Sequence, residues 1–245
     1  MNGEKHCIVL QNISKYFGDK QVLDNIDLKI PRGSIYGILG PSGCGKTTTV
    51  KIMAGILEGT SGDAYVLGER MPQLAMMDRI GYMAQSDALY TAMSAYENLA
   101  FFASLYGMKK PLVTERIDEV ISLINLGEYL HSPVSVFSGG MKRRLSLAMA
   151  LIHHPQVLIL DEPTVGIDPL LRKDIWGKLN QMAATGVAII ITTHVMDEAD
   201  KCSRLAMMRS GRIIAEGTPE ELQKNINATD IEEAFIYYGG GMDEN

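Results

Sequence analysis

The pattern of apolar and polar positions opens the chain as strands. Ile26, Leu28 and Ile30 alternate with Asp27 and Lys29, and Pro31-Arg32-Gly33 turns the chain into Ile35-Tyr36-Gly37-Ile38-Leu39. That second run does not alternate, as expected of a strand buried on both faces. It ends in the glycine loop Gly40-Pro41-Ser42-Gly43-Cys44-Gly45-Lys46-Thr47-Thr48, beyond which Val50, Met53, Ala54 and Leu57 recur at helical spacing. From Leu89 to Ser138 helical periodicity takes over. Leu99, Phe102, Ala103 and Tyr106 share one face, and Ile117, Val120, Ile121 and Ile124 the next, with Gly107 to Pro111 between them and Ser132-Pro133 near the end. The pattern then predicts a helix from about Gly139, a strand at 157–160, a helix at about 169–184 and a strand at 187–192. Asp168-Pro169 reads as an N-cap followed by a first-turn proline, and Thr218-Pro219-Glu220-Glu221 repeats that logic with Glu221 closing a capping box. Strand and helix alternate, which predicts an α/β fold with a parallel sheet.

Composition narrows this picture only slightly. The chain has 245 residues, 46% of them hydrophobic and 21% charged, enough apolar material for a large core. Its formal charge of −6 argues against a nucleic-acid partner, which would favour a basic surplus. No apolar run approaches the length of a membrane span, and the first residues lack the layout of a secretory signal. Cys7, Cys44 and Cys202 form neither a disulfide framework nor a zinc pattern, which suggests a reducing compartment. The glycine-rich tail from Gly239 is expected to be disordered.

The glycine loop satisfies the spacing G-x4-G-K-[ST] through Gly40, Gly45, Lys46 and Thr47, between a strand and a helix. Glycines let backbone N–H groups close around phosphate oxygens, Lys46 reaches the β- and γ-phosphates, and the Thr47 hydroxyl is placed for Mg²⁺. A nucleoside triphosphate site follows. Cys44, near Lys46 and a helix N-terminus, is expected to have an acidified, reactive thiol. The metal also needs a carboxylate at the end of another buried strand. Asp-Glu pairs stand at 118–119, 161–162, 197–198 and 243–244, but only Asp161-Glu162 follows an apolar strand. Neighbouring residues of an extended chain point to opposite sides, so Asp161 is assigned to the metal and Glu162 to the attacking water. Lys142-Arg143-Arg144 reads as a solvated helix face, and His153-His154 as structural residues at a helix C-terminus that favours cations.

With these motifs in place the chain resembles the nucleotide-binding subunits of ATP-binding cassette (ABC) transporters over nearly its whole length. Ser138-Gly139-Gly140-Met141-Lys142 is similar to the family signature, with Phe137 and Met141 departing from the usual Leu and Gln. The resemblance makes Gln85 the Q-loop glutamine and a further metal ligand, Asp168 the D-loop aspartate, and His194 the switch histidine. It makes Phe17 the aromatic that stacks on adenine, with Tyr16 as second choice. It implies a P-loop NTPase core, an N-terminal antiparallel β subdomain and an inserted helical subdomain. Residues 1–88 and 139–225 would form the core and β subdomain, about 89–138 the helical part and 226–245 a C-terminal tail.

The implied function is ATP hydrolysis with Mg²⁺, in a head-to-tail dimer of two nucleotide-binding subunits, identical or different. Each ATP would lie between one subunit's phosphate loop and the other's Ser138, Gly139 and Gly140, although Ser138 also reads simply as an N-cap. The subunit would sit on the cytoplasmic face of the membrane and drive separate transmembrane permease subunits. Spellings such as Gly211-Arg212-Ile213-Ile214-Ala215-Glu216-Gly217 look like ABC-2-type exporters of drugs, antibiotics or lipid-linked products. A soluble ABC ATPase without transport, and a P-loop kinase or GTPase outside the family, are the alternative classes. Tyr90, Tyr96, Phe101, Phe102 and Tyr106 are either the docking surface for the permease or ordinary core.

Overall fold

The computed structural model describes residues 6–86 and 88–240. In chain order its elements are β1 (His6–Phe17), β2 (Lys20–Pro31), β3 (Ile35–Leu39), α1 (Lys46–Met53), β4 (Ser61–Val66), β5 (Glu69–Arg70), β6 (Ile80–Met83), α2 (Ala95–Leu105), α3 (Lys110–Leu123) and α4 (Gly139–Leu151). There follow β7 (Val157–Asp161), α5 (Pro169–Ala184), β8 (Ala188–Thr193), the short α6 (Met196–Ala199), β9 (Arg204–Arg209), β10 (Arg212–Gly217), α7 (Pro219–Lys224) and α8 (Ile231–Tyr238). The chain divides into two compact units, one formed by the residues up to Leu74 together with those from Ala188 onward, the other by Ala75–Val187.

In the first unit β1 lies between β2 and β4, and β5 extends β4, giving an antiparallel sheet in the order β2-β1-β4-β5. Its apolar face carries Ile8, Leu10, Ile13, Leu23, Ile26, Leu28 and Ile30, all buried. The long β1–β2 pairing shifts register around Asn12, whose positive φ suits an asparagine, and its N–H donates to Asp27 Oδ1 at 3.1 Å. The other sheet region of this unit has β3 at its centre, parallel to both β8 and β9, with β10 antiparallel to β9. Every residue of β3 and β8 is buried, which is why neither shows alternation.

In the second unit β6 and β7 run parallel, Ile80 opposite Val157 and Met83 opposite Leu160. Helix α4 packs on both strands, and α2 and α3 pack on α4. Arg116 of α3 is buried and caps the end of α4, donating from Nε to the Ile152 carbonyl at 3.2 Å and from Nη2 to that of Leu151 at 2.6 Å. Asn98 of α2 is also buried and folds the preceding loop onto the helix through Tyr90 and Ser94. Ser94 and Glu97 form a capping box at the start of α2.

The α/β class and its antiparallel and parallel-containing sheets match the expectation. Two details differ. Helix α1 stops before Leu57, because Gly55 turns the chain with φ +70°, where a side chain would meet Met71. Residues 231–238 form α8, opened by Asp230, whose side chain accepts from the Glu233 N–H. The expected disordered tail falls mostly on 241–245, outside the described residues. Among the described residues no helix is long and apolar enough to cross a membrane.

Candidate functional site

In the first unit the loop 40–48 joins the end of β3 to α1. Gly40 must be glycine because a Cβ there would run into the Met208 carbonyl of β9. Gly45 sits at φ +115°, a conformation that side chains avoid, and opens α1 with no capping side chain and no acid in the first turn. The helix therefore begins as a bare positive end. Pro41, Ser42 and Gly43 are exposed, Thr47 and Thr48 are partly exposed, and Lys46 is buried beneath them. Lys46 Nζ donates to the Gly40 carbonyl at 2.7 Å and to that of Pro41 at 3.0 Å, so the ammonium is folded back into its own loop.

The Gly40 N–H donates to the Thr193 carbonyl at 3.2 Å, which sets the start of this loop beside the end of β8 and brings His194 next in the chain. The turn carrying His194 is held by Thr193. Its hydroxyl donates to Glu198 Oε2 at 2.7 Å and accepts from the Val195 N–H at 3.0 Å, with Glu198 buried. His194 itself is exposed. At the far end of β1 the Phe17 ring is 50% exposed, with Lys15 Nζ 5.2 Å above its centroid; Tyr16 is exposed as well.

In the second unit Asp161 ends β7 fully buried. Glu162 is partly exposed and has φ +53°, so the chain leaves the strand there and the two carboxylates are not simple alternating neighbours of one extended segment. Gln85 follows β6 and is exposed. Ser138 is exposed at the start of α4, and its Oγ accepts from the Met141 N–H at 3.3 Å, so it is an N-cap. Gly139 has open space around its Cα, whereas a Cβ at Gly140 would press on the Gly166 carbonyl. Asp168 is exposed and caps α5, Oδ1 accepting from the Leu171 N–H at 3.0 Å.

Three expectations are corrected. Arg143 is not on a solvated face: it is 7% exposed and donates to four backbone carbonyls, those of Ala84, Gln85, Asp161 and Glu162. Arg144 likewise reaches the Ile124 and Asn125 carbonyls. His153 is no cation at a helix end. Burial pushes its pKa down to about 4, its ring stacks on Tyr106 at 3.7 Å, and one ring nitrogen lies 3.2 Å from the Ile80 carbonyl. Cys44 is buried, and that burial raises its thiol pKa more than Lys46 and the backbone N–H groups lower it. At pH 8 native Cys44 should therefore alkylate at least about tenfold more slowly than a free cysteine, read by peptide-resolved iodoacetamide labelling. Labelling as fast as in the denatured chain would contradict this.

The family model for ABC transporters matches residues 23–165, from β2 through the turn after Glu162. The chain is 39% identical over 237 residues to the "Probable multidrug ABC transporter ATP-binding protein YbhF" of Escherichia coli, with 94% of this chain matched. The chain belongs to the ABC transporter family. It spans about two fifths of that relative, 41% of its length. The Nod factor export ATP-binding protein I of Sinorhizobium fredii is 41% identical over 241 residues, covering 97% of this chain and 69% of the relative. A solved ATP-binding subunit of an ABC transporter superposes with a TM-score of 0.89 at 24% identity, covering 95% of this chain and 99% of that one, so the fold is shared. Arg143 is the residue that sequence reasoning missed: its neighbours Lys142 and Arg144 suggested a charged surface, and its partners are backbone atoms far along the chain.

Proposed function

We propose that this chain hydrolyses ATP to ADP and phosphate and drives export through a separate transmembrane subunit at the cytoplasmic face of the membrane. The observation that carries the reading is the loop of the first unit, where a buried ammonium lies beneath exposed backbone at the bare N-terminus of α1. Lys46 would exchange its two carbonyl partners for phosphate oxygens, and the start of α1 would add its positive end. Phe17 would offer adenine its half-exposed ring.

The remaining assignments are proposals of the same kind. Thr47, Gln85 and Asp161 supply a hydroxyl, an amide carbonyl and a carboxylate, all hard oxygen donors that fit Mg²⁺. Bound there, the metal would neutralise charge on the phosphate oxygens. Glu162 would take the proton of the attacking water, and His194 would steady the γ-phosphate edge. Ser138, Gly139 and Gly140 would meet the nucleotide held by another subunit, with Asp168 nearby. A dimer, preferably of two identical copies, would follow, because the exposed start of α4 would offer its remaining N–H groups and positive end to that phosphate. The whole of 1–238 would then act as one ATPase domain.

The names of the multidrug and Nod factor relatives support export. The exposed aromatics Tyr90 and Phe101, in edge contact at 5.1 Å, with Tyr90 in the loop that follows Gln85, are the proposed docking surface for the membrane subunit. Cysteines introduced at 90 and 101 should crosslink to a membrane protein in the intact complex, and ATP should change the yield. If those positions never crosslink while the complex hydrolyses ATP, the docking assignment fails.

A further inference from the structure

One buried side chain of the second unit makes four hydrogen bonds that the proposed chemistry does not use. Arg143 lies in the second turn of α4, the helix opened by Ser138, and its guanidinium is buried. Nη1 donates to the Ala84 carbonyl at 2.6 Å and the Gln85 carbonyl at 2.9 Å. Nη2 donates to the Glu162 carbonyl at 2.7 Å and to that of Asp161. Two terminal nitrogens carry four N–H groups, so each finds an acceptor.

The geometry behind this is specific. Strands β6 and β7 are parallel neighbours, so their C-terminal ends lie side by side, and Arg143 spans the two points where strand gives way to loop. In an extended chain successive carbonyls point to opposite sides and one nitrogen could not reach both. The left-handed turn at Glu162 removes that alternation, and the carbonyls of Asp161 and Glu162 meet the same Nη2. A non-glycine residue seldom adopts that conformation without something to hold it there. The shared guanidinium gives that turn a reason.

We propose that Arg143 is a positioning residue for nucleotide hydrolysis: it fixes the backbone of Gln85 and of Asp161–Glu162 in one frame and ties that frame to α4. It touches neither nucleotide nor metal. The inference rests on the assignment of Gln85 and Asp161 to Mg²⁺ and of Glu162 to water. Without Arg143 those three side chains keep their chemistry but lose their common geometry. Lysine preserves the charge but gathers its donors on one nitrogen and cannot bridge both strand ends as a planar fork does. Glutamine loses the charge as well.

The test uses the purified full chain as wild type, Arg143→Gln and Arg143→Lys. Turnover is measured against ATP and against Mg²⁺, binding of a fluorescent ATP analogue with and without Mg²⁺, and thermal stability alongside. Supporting residues of a metal site typically contribute 10–100-fold, so Arg143→Gln should lower kcat by about tenfold or more. It should raise half-saturating Mg²⁺ for analogue binding by about tenfold. Metal-free analogue affinity should stay within about twofold, because the Lys46 loop is built from other residues. Arg143→Lys should fall between the two and is the variant to read if Arg143→Gln does not fold. Unmoved kcat and Mg²⁺ dependence would overturn the proposal. So would a fall in kcat that follows thermal stability while the Mg²⁺ titration stays put. A wild-type chain that binds no ATP would instead overturn the parent reading, and this one with it.

Discussion

Replacing Glu162 by Gln is expected to lower ATP turnover by a factor of 10² to 10⁴, the usual contribution of a general base, while ATP binding stays close to wild type. That range corresponds to roughly 3–5 kcal/mol of transition-state stabilisation. The substitution removes a charge and a proton acceptor but keeps shape. It also leaves the Glu162 carbonyl in place for Arg143, so the turn at φ +53° keeps its partner. A glutamine there would leave nucleotide binding in place but could not take the proton from water. Nucleotide-loaded dimers should then accumulate, visible as a larger species in size-exclusion chromatography with ATP and absent with ADP. Turnover within a few-fold of wild type would remove Glu162 from the role of base.

The second large effect is expected at Lys46. Its Nζ lies 2.7 Å from the Gly40 carbonyl and 3.0 Å from that of Pro41, so a buried cation is stored where phosphate charge would arrive. Truncating a buried, hydrogen-bonded charge costs about 2–5 kcal/mol in binding. Lys46→Ala should therefore weaken ATP binding by roughly 30-fold or more. The loss should be much smaller for adenosine, which has no phosphates to hold. Titration calorimetry with both ligands separates the cases. Equal losses would point to a collapsed loop, and no loss would end the phosphate assignment.

The parts of this architecture that were legible in the sequence are those governed by local chemistry. The β3–loop–α1 unit declared itself through an unalternated apolar run, glycines at fixed offsets and helical periodicity. The caps at Asp168 and Thr218 did so through Asp-Pro and Thr-Pro-Glu-Glu, and each cap makes its expected hydrogen bond. Among the four Asp-Glu pairs, Asp161-Glu162 stands out because only it follows an apolar strand. What could not be read is long-range or backbone-directed. Arg143 sits among basic neighbours, and its acceptors are carbonyls 18 and 19 residues downstream and 58 and 59 upstream, invisible to any pattern of side chains. The Cys44 thiol was misjudged because its position beside Lys46 is visible in sequence whereas its burial is not. His153 is structural, as its sequence context suggests, but through burial against Tyr106 and not as a cation at a helix end, and that burial exists only once α2 and α4 are folded together.

The grip of Arg143 on carbonyl oxygens has a consequence for how this site tolerates change. Any residue at 84, 85, 161 or 162 that keeps the backbone path, including the φ of +53° at 162, offers the same oxygen, so the frame does not depend on the chemistry of the side chain that hangs from it. Chemistry and architecture are thereby separable here. If Glu162, Gln85 and Asp161 carry the roles proposed for them, conservative exchanges there leave the backbone mount in place, and a lost activity would report the side-chain head that was removed. A lesion at 143 is different in kind, because it leaves all the heads intact and unseats the mount.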